Sequence, residues 1–226
     1  MQGTAQHHPS PNPLLRPRKL RGYLRRAYAR INAFRYPRWL GDVIRTEGLI
    51  STDEARLLFE LAKNVADGCI VEVGSYRGRS TAALAHGSSK GKGVPIYAIE
   101  PHEQFHGYYG GVFGPEDRRA FFKTMIRTKA YKLVRLVNLS SQQVAPNWPH
   151  QVSLLWIDGD HTYEGVKRDF DNWSPHLGPN AVVAFDDSVD PKCGPAKLIG
   201  ELVKSGSFQV CSITGKITCI REMATS

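Results

Sequence analysis

Two segments of the chain run apolar and stop on acids: Leu155-Trp156-Ile157-Asp158-Gly159-Asp160-His161 and Val182-Val183-Ala184-Phe185-Asp186-Asp187. Apolar runs of this length, bounded by turn residues, read as fully buried strands. In an open parallel sheet, ligands bind beyond the carboxyl ends of the strands. Asp158, His161, Asp186 and Asp187 are therefore expected to converge at one mouth. Carboxylates crowded together repel one another and lose hydration unless a cation sits among them. Hard oxygen ligands in this number suit Mg²⁺, or another divalent cation such as Ca²⁺ or Mn²⁺, better than zinc. The expected metal ligands are Asp158, Asp186 and Asp187. The competing reading makes these acids ordinary loop residues and helix caps, and Asp160 is assigned to capping.

A second constellation lies earlier in the chain. Val71-Glu72-Val73-Gly74-Ser75-Tyr76-Arg77-Gly78-Arg79-Ser80 leaves an apolar run and opens a helical pattern. Gly74 permits a tight turn and a close ligand approach. Gly78 sits where loop meets helix, and Ser80 with Thr81 is placed to cap it. The glycine spacing is not the dinucleotide fingerprint, and no Lys-Ser/Thr pair follows to make a phosphate loop. Glu100 ends a further apolar run, Ile96-Tyr97-Ala98-Ile99, where an acid takes a ribose diol through two hydrogen bonds. A nucleoside-containing cofactor without a phosphate cradle fits this pair of signals best.

The elements that must position these residues follow from periodicity. Strands are expected at 69–73, 95–99, 132–137, 152–157 and 180–185, with helical patterns after the first, second, fourth and fifth. Ser51 with Glu54 makes a capping box for a helix over 51–65, whose stripe is Ala55, Leu58, Phe59 and Ala62. At the end, 207–213 and 216–221 flank Thr214-Gly215 as a hairpin. The fold class is thus α/β, a Rossmann-like doubly wound sheet, mostly parallel, with a C-terminal antiparallel hairpin.

Length and charge set the domain plan. The 226 residues suffice for one α/β domain with an appendage. Residues 1–45 hold ten Lys or Arg against the single acid Asp42, which accounts for the whole net charge of +9 and leaves 46–226 neutral. Residues 1–17, with four prolines, are expected to be disordered or extended. Leu20, Tyr23, Leu24, Ala27, Tyr28, Ile31 and Phe34 then recur at helical spacing opposite Arg21, Arg25, Arg26 and Arg30, ending near Pro37. This basic amphipathic helix suits docking on the domain or on a twin subunit, an anionic membrane surface, or an organelle transit segment. No apolar run reaches the ~18 residues of a membrane span. The four cysteines show no metal-ligand spacing and read as reduced thiols, so a cytoplasmic protein is expected, in possible peripheral contact with a membrane.

Glu72-x-Gly74-x-x-x-Gly78, Glu100, Asn138-Leu139-Ser140-Ser141 and the terminal hairpin resemble the class I S-adenosylmethionine-dependent methyltransferases. Ile157-Asp158-Gly159-Asp160-His161-x-Tyr163 with Phe185-Asp186-Asp187 is most similar to their metal-dependent sugar O-methyltransferases of the macrocin and mycinamicin type, methyltransferase family 24. The resemblance spans about residues 50–222 and implies a methyltransferase domain over 46–226. It implies that Glu72, Gly74, Ser75, Gly78 and Ser80 lie along the methionine side of S-adenosylmethionine, Glu100 at its ribose, and Ser140 and Ser141 at its adenine. Asp158, near the cofactor too, would join Asp186 and Asp187 around Mg²⁺, with His161 as general base. Residues 101–125, with His102, His106, Tyr108 and Tyr109, depart from the pattern and are expected to cover the acceptor.

The implied activity is O-methylation of a hydroxyl on a sugar or glycosylated small molecule. A sugar hydroxyl is a poor acid, so a metal to lower its pKa and a neutral imidazole to take its proton both have a use. An oxygenase or hydroxylase on the same scaffold is one alternative, since cephalosporin-hydroxylase-type proteins share this similarity; a facial triad, however, wants two histidines and one carboxylate. A non-catalytic, membrane-associated binding protein is the other. No nucleic-acid partner is expected, because the domain is neutral and no Asn/Asp-Pro-Pro-Tyr motif follows the fourth strand. A homo-oligomer remains open.

Overall fold

The computed structural model describes residues 37–108 and 110–223. The expected extended segment 1–17 and basic helix 20–34 lie outside them. The chain forms α1 (Arg38–Ile44), α2 (Thr52–Lys63), β1 (Cys69–Val73), α3 (Arg79–Ser88) and β2 (Ile96–Ile99). Then follow β3 (Phe105–His106), β4 (Val112–Phe113), α4 (Pro115–Thr128), β5 (Val134–Val137) and α5 (Ser141–Val144). The last part comprises β6 (Val152–Ile157), α6 (Tyr163–Trp173), β7 (Leu177–Phe185), α7 (Gly194–Lys204), β8 (Phe208–Thr214) and β9 (Ile217–Glu222).

The main sheet has seven strands in the order β5-β2-β1-β6-β7-β9-β8. All neighbours are parallel except those of β9, which runs antiparallel between β7 and β8. This is the expected mostly parallel, doubly wound sheet closed by a hairpin. Every residue of β1 is buried, as helices on both faces require. Alternate residues feed two cores. Ile70, Leu154, Trp156 and Ile217 face Leu58, Leu84 and Phe121 on one side. Val71, Leu155, Val183 and Phe185 face Phe170, Trp173 and Leu198 on the other.

Register lines up the site. Val73 pairs with Ile99 and Ile157, and Ile157 with Phe185, so the residues that follow emerge side by side. The hydrogen bonds Gly74 N–H to Ile99 O (3.1 Å), Asp158 N–H to Val73 O (2.8 Å) and Asp186 N–H to Ile157 O (3.0 Å) carry the ladder one step past the strands. Chain order reverses between β1 and β6, which makes that edge the topological switch point.

Two features go beyond the sequence reading. The segment expected as an insertion folds into the β3–β4 hairpin and the start of α4. The core also reaches back into residues expected to belong to the arm: Leu40 and Val43 of α1 are fully buried, and Trp39 stacks on Phe59 at 4.2 Å between ring centroids. Among the described residues no helix is long and apolar enough to cross a membrane.

Candidate functional site

A cleft of about 680 Å³ runs along the carboxyl edge of the sheet. Its wall takes Gly74, Ser75, Ser80 and Glu100 from the ends of β1 and β2, and Ser140 and Ser141 beyond β5. Asp158, His161, Asp186 and Asp187 line it beyond β6 and β7. All of these were expected at a site, and the structure brings them to one cavity.

Glu72 and Gly78 do not line that cavity, which corrects their expected place. Glu72 is fully buried behind the wall, where it accepts hydrogen bonds from Ser80 Oγ and Thr81 Oγ1, both at 2.5 Å. Those two hydroxyls therefore do not cap α3, whose N-cap is Gly78 without a side-chain bond. Burial pushes the Glu72 carboxyl up to about 8, against the opposing pull of the two hydroxyls. Gly78 has φ +82°, and a Cβ there would meet Met125 at 2.8 Å, so it serves the packing of α4. Gly74 is tighter still: at φ +83°, a Cβ would lie 2.2 Å from Asp158 O. Only a glycine lets the loop cross the β6 terminus.

Glu100 anchors this loop. Its carboxylate accepts from Ser75 N–H (3.2 Å), Tyr76 N–H (3.1 Å) and His102 N–H (3.0 Å). Tyr76 itself stands at φ +45°, a left-handed conformation that costs a side chain of this size about 1–3 kcal/mol and persists only where surroundings impose it. Farther along, Asp169 lines the cleft beside Ser141; burial raises its carboxyl to about 6, with the Ser141 hydroxyl opposing. Asp160 accepts from Thr162 N–H at 3.0 Å, but the cap of α6 is Thr162, whose Oγ1 accepts from Gly165 N–H at 3.1 Å. Asp160 shapes the turn before the cap, not the cap itself.

The acidic centre differs from expectation in its membership. The groups whose ligand atoms lie within 4.8 Å of one another are Asp158, His161 and Asp186. Asp187, at φ +45°, turns instead to Lys216 Nζ (3.0 Å) and His161 Nδ1 (3.3 Å). Lys216 comes from the turn between β8 and β9 and also lies 2.5 Å from Asp186 Oδ2. A cation among the acids was required on electrostatic grounds, and one is supplied by the chain itself. Its charge is secure: burial pulls its pKa down, but Asp186 first, then Asp158 and Asp187, raise it further. Burial pulls the His161 pKa down, but the Asp158 carboxylate 3.6 Å from its Nε2, together with Asp187, outweighs it and leaves the pKa raised. The second oxygen of Asp186, Oδ1, is buried without a hydrogen-bond partner. That orphan, with Asp158 and His161 beside it, fits a divalent cation.

The rim comes from the segment 101–125 that was expected over the acceptor with Tyr108 in it; Phe105 and Phe113 were not singled out. Phe105, Tyr108 and Phe113 of the β3–β4 hairpin line the cleft, and Tyr76 meets Phe113 edge-on at 5.1 Å. Arg79 also lines the cleft, with Gly48, Leu49 and Ile50, donating to Gly48 O at 3.0 Å. Aromatic residues in the departing segment were the available signal for the rim. Lys216, alone after a turn glycine, gave none.

Comparison with known proteins agrees with this architecture. Residues 71–188 match the family described as "Methyltransferase domain". Among solved structures, the SAH-bound methyltransferase PaMTH1 of Podospora anserina has a TM-score of 0.63 at 15% identity, over 95% of this chain and 100% of that one. The O-methyltransferase of Bacillus cereus in complex with SAH has 0.60 at 16%, over 83% and 92%. TomG, the O-methyltransferase of tomaymycin synthesis in Streptomyces achromogenes, in complex with SAM, has 0.59 at 17%, over 78% and 82%. At these identities the likeness is one of fold. The uncharacterized protein y4gI of Sinorhizobium fredii (strain NBRC 101917 / NGR234) is 28% identical over 124 residues; the match takes in 53% of this chain and 13% of that relative's length.

Proposed function

Because the chain belongs to the methyltransferase-domain family, we propose that it is an S-adenosylmethionine-dependent O-methyltransferase acting on a hydroxyl of a sugar or glycosylated small molecule. The observation that carries the reading is the single cleft in which the Gly74 turn and Glu100 share a wall with Asp158, His161 and Asp186. S-adenosylmethionine, when bound, supplies a sulfonium methyl for in-line displacement by the acceptor oxygen. Gly74 and Ser75 line the cleft where the methionine part would lie, and Glu100, Ser140 and Ser141 offer polar groups along the nucleoside part. TomG and the Bacillus cereus enzyme, both O-methyltransferases with SAM or SAH bound, support the same donor and acceptor atom.

His161 takes the acceptor proton in this reading. Asp187 Oδ2 lies 3.3 Å from its Nδ1 without the alignment of a hydrogen bond, and sets a carboxylate charge beside the ring. Its Nε2, 3.6 Å from Asp158 Oδ1, faces the acidic centre. Mg²⁺ or another divalent cation would be held by Asp158 and Asp186 Oδ1, and would supply Lewis-acid polarisation of the acceptor hydroxyl. The aromatic rim of Phe105, Tyr108 and Phe113, with Glu103 and Gln104 among the lining residues, suits the mixed apolar and polar faces of a sugar. An iron oxygenase would want a second histidine beside His161, and the cluster of described residues offers none. In this reading the protein is cytoplasmic, and the charge of residues 1–45 suits docking on its own domain or a twin subunit, or an anionic membrane surface.

Calorimetry with S-adenosylhomocysteine, with and without Mg²⁺, tests the donor. Glu100→Gln should weaken binding by about 1–3 kcal/mol, the worth of hydrogen bonds to a charged group. Absence of binding at millimolar ligand would sink the assignment. With a sugar acceptor in hand, His161→Ala should lower turnover by roughly 10²–10⁴; an unimpaired variant would reassign the base.

A further inference from the structure

We infer that Lys216 is the resident cation of the acidic centre, a positioning residue that occupies one oxygen each of Asp186 and Asp187 and so leaves Asp158 and the other Asp186 oxygen, with His161 beside them, to face a divalent cation. The inference rests on the reading of that centre as a cation site. Lys216 is placed by three hydrogen bonds to its backbone. Its N–H donates to Glu54 Oε1 at 2.9 Å, and its carbonyl accepts from Ser188 N–H and Ser188 Oγ, each at 2.9 Å. Glu54 is held in turn, since its other oxygen accepts from Ser51 N–H at 2.6 Å in the capping box of α2. A surface lysine that strays toward an acid is not anchored in this way. The hairpin turn is tied to one helix start and to the loop after β7, and only the side chain is left to reach inward.

The consequences follow from charge and geometry. Asp186 is 2% exposed, so its carboxylate has little water to stabilise it. Lys216 Nζ, at 2.5 Å and 3.0 Å from Asp186 and Asp187, lowers the combined charge of the three carboxylates by one unit without blocking Asp186 Oδ1. It also fixes Asp187, whose other oxygen faces His161. Lys216 thereby keeps the centre assembled before a divalent ion arrives and moderates how tightly that ion is held.

Mn²⁺ binding to the full-length protein, read by calorimetry and by electron paramagnetic resonance, tests the inference. Lys216→Met should bind Mn²⁺ about tenfold more tightly, because a nearby positive charge is gone. Lys216→Arg should stay at the wild-type value. In chelator, the Met variant should melt at a lower temperature than the wild type, and Mn²⁺ should restore it. Equal Mn²⁺ affinity in the wild type and the Met variant would overturn the inference. If neither binds Mn²⁺, the divalent part of the functional reading fails by itself, and melting in chelator decides the role of Lys216. A loss in the Met variant that Arg repairs upholds the resident cation; unchanged melting refutes it.

Discussion

Glu72 shows how a residue of recognisable type can serve a purpose other than the one its motif suggests. Two hydroxyls satisfy it in a fully dry position, and burial raises its carboxyl to about 8, whereas in the unfolded chain it titrates near the ordinary ~4.5. The folded state therefore binds more protons than the unfolded state between those two values. For a raised folded pKa, the stability contribution is fully present below the unfolded value and falls as pH rises toward the folded one. Glu72→Gln removes the ionisation and keeps the shape, since a hydroxyl can turn to accept from the amide. Urea unfolding at pH 5 and pH 8 should show the variant gaining on the wild type as pH rises, by up to ~1.4 kcal/mol per unit. Parallel stability curves would mean that Glu72 is ionised in the fold at both pH values.

At the scale of elements, the strand ends were legible, and the rim was legible as a segment but not as a hairpin. Apolar runs bounded by Gly74, Glu100, Asp158 and Asp186 fix where strands stop, and the parallel register then places those four residues in one row. The hairpin was legible from Gly215, which takes φ +59° in the two-residue loop. Its delivery of Lys216 into the acids was not, because that depends on Glu54, 162 positions earlier, gripping the turn. Nor does sequence spacing betray β3 and β4, strands of two residues each. Their structure comes from packing: a Cβ on Gly107 would lie 2.7 Å from the Phe113 ring, so the missing side chain makes room for that aromatic. Phe113 also meets Tyr76 and Phe105. Phe113→Ala should raise KM for the acceptor about 3- to 30-fold, the scale of a lost aromatic contact of ~0.5–2 kcal/mol. S-adenosylhomocysteine affinity should stay unchanged. A variant that loses the cofactor as well would place the hairpin over the donor.

At the scale of the molecule, charge is unevenly distributed, and the structure sharpens where the arm must end. The segment 1–45 carries all the net charge, and within the neutral remainder the outer face of α4 and the turn after it is basic as well. There Arg119, Lys123, Arg127 and Lys129 surround Phe122, Ile126 and Tyr131, which are 51%, 68% and 53% exposed. Basic residues around exposed apolar ones suit an anionic lipid surface, with each Lys or Arg near it worth about 1 kcal/mol at low salt. Arg127 donates to Thr46, just past the C-terminal end of α1, so this face adjoins that end; the arm joins α1 at its other end, before Arg38. Two truncations separate arm from domain. Removing residues 1–36 should leave a folded protein that binds S-adenosylhomocysteine but sediments far less with phosphatidylglycerol vesicles; neutral phosphatidylcholine vesicles serve as control. Removing residues 1–45 should instead cost several kcal/mol in urea unfolding, because Leu40 and Val43 are fully buried and a large side chain deleted from a core costs about 2–5 kcal/mol. Vesicle binding retained in full after loss of 1–36 would transfer the lipid contact from the arm to the face of α4, and Phe122→Asp should then abolish it.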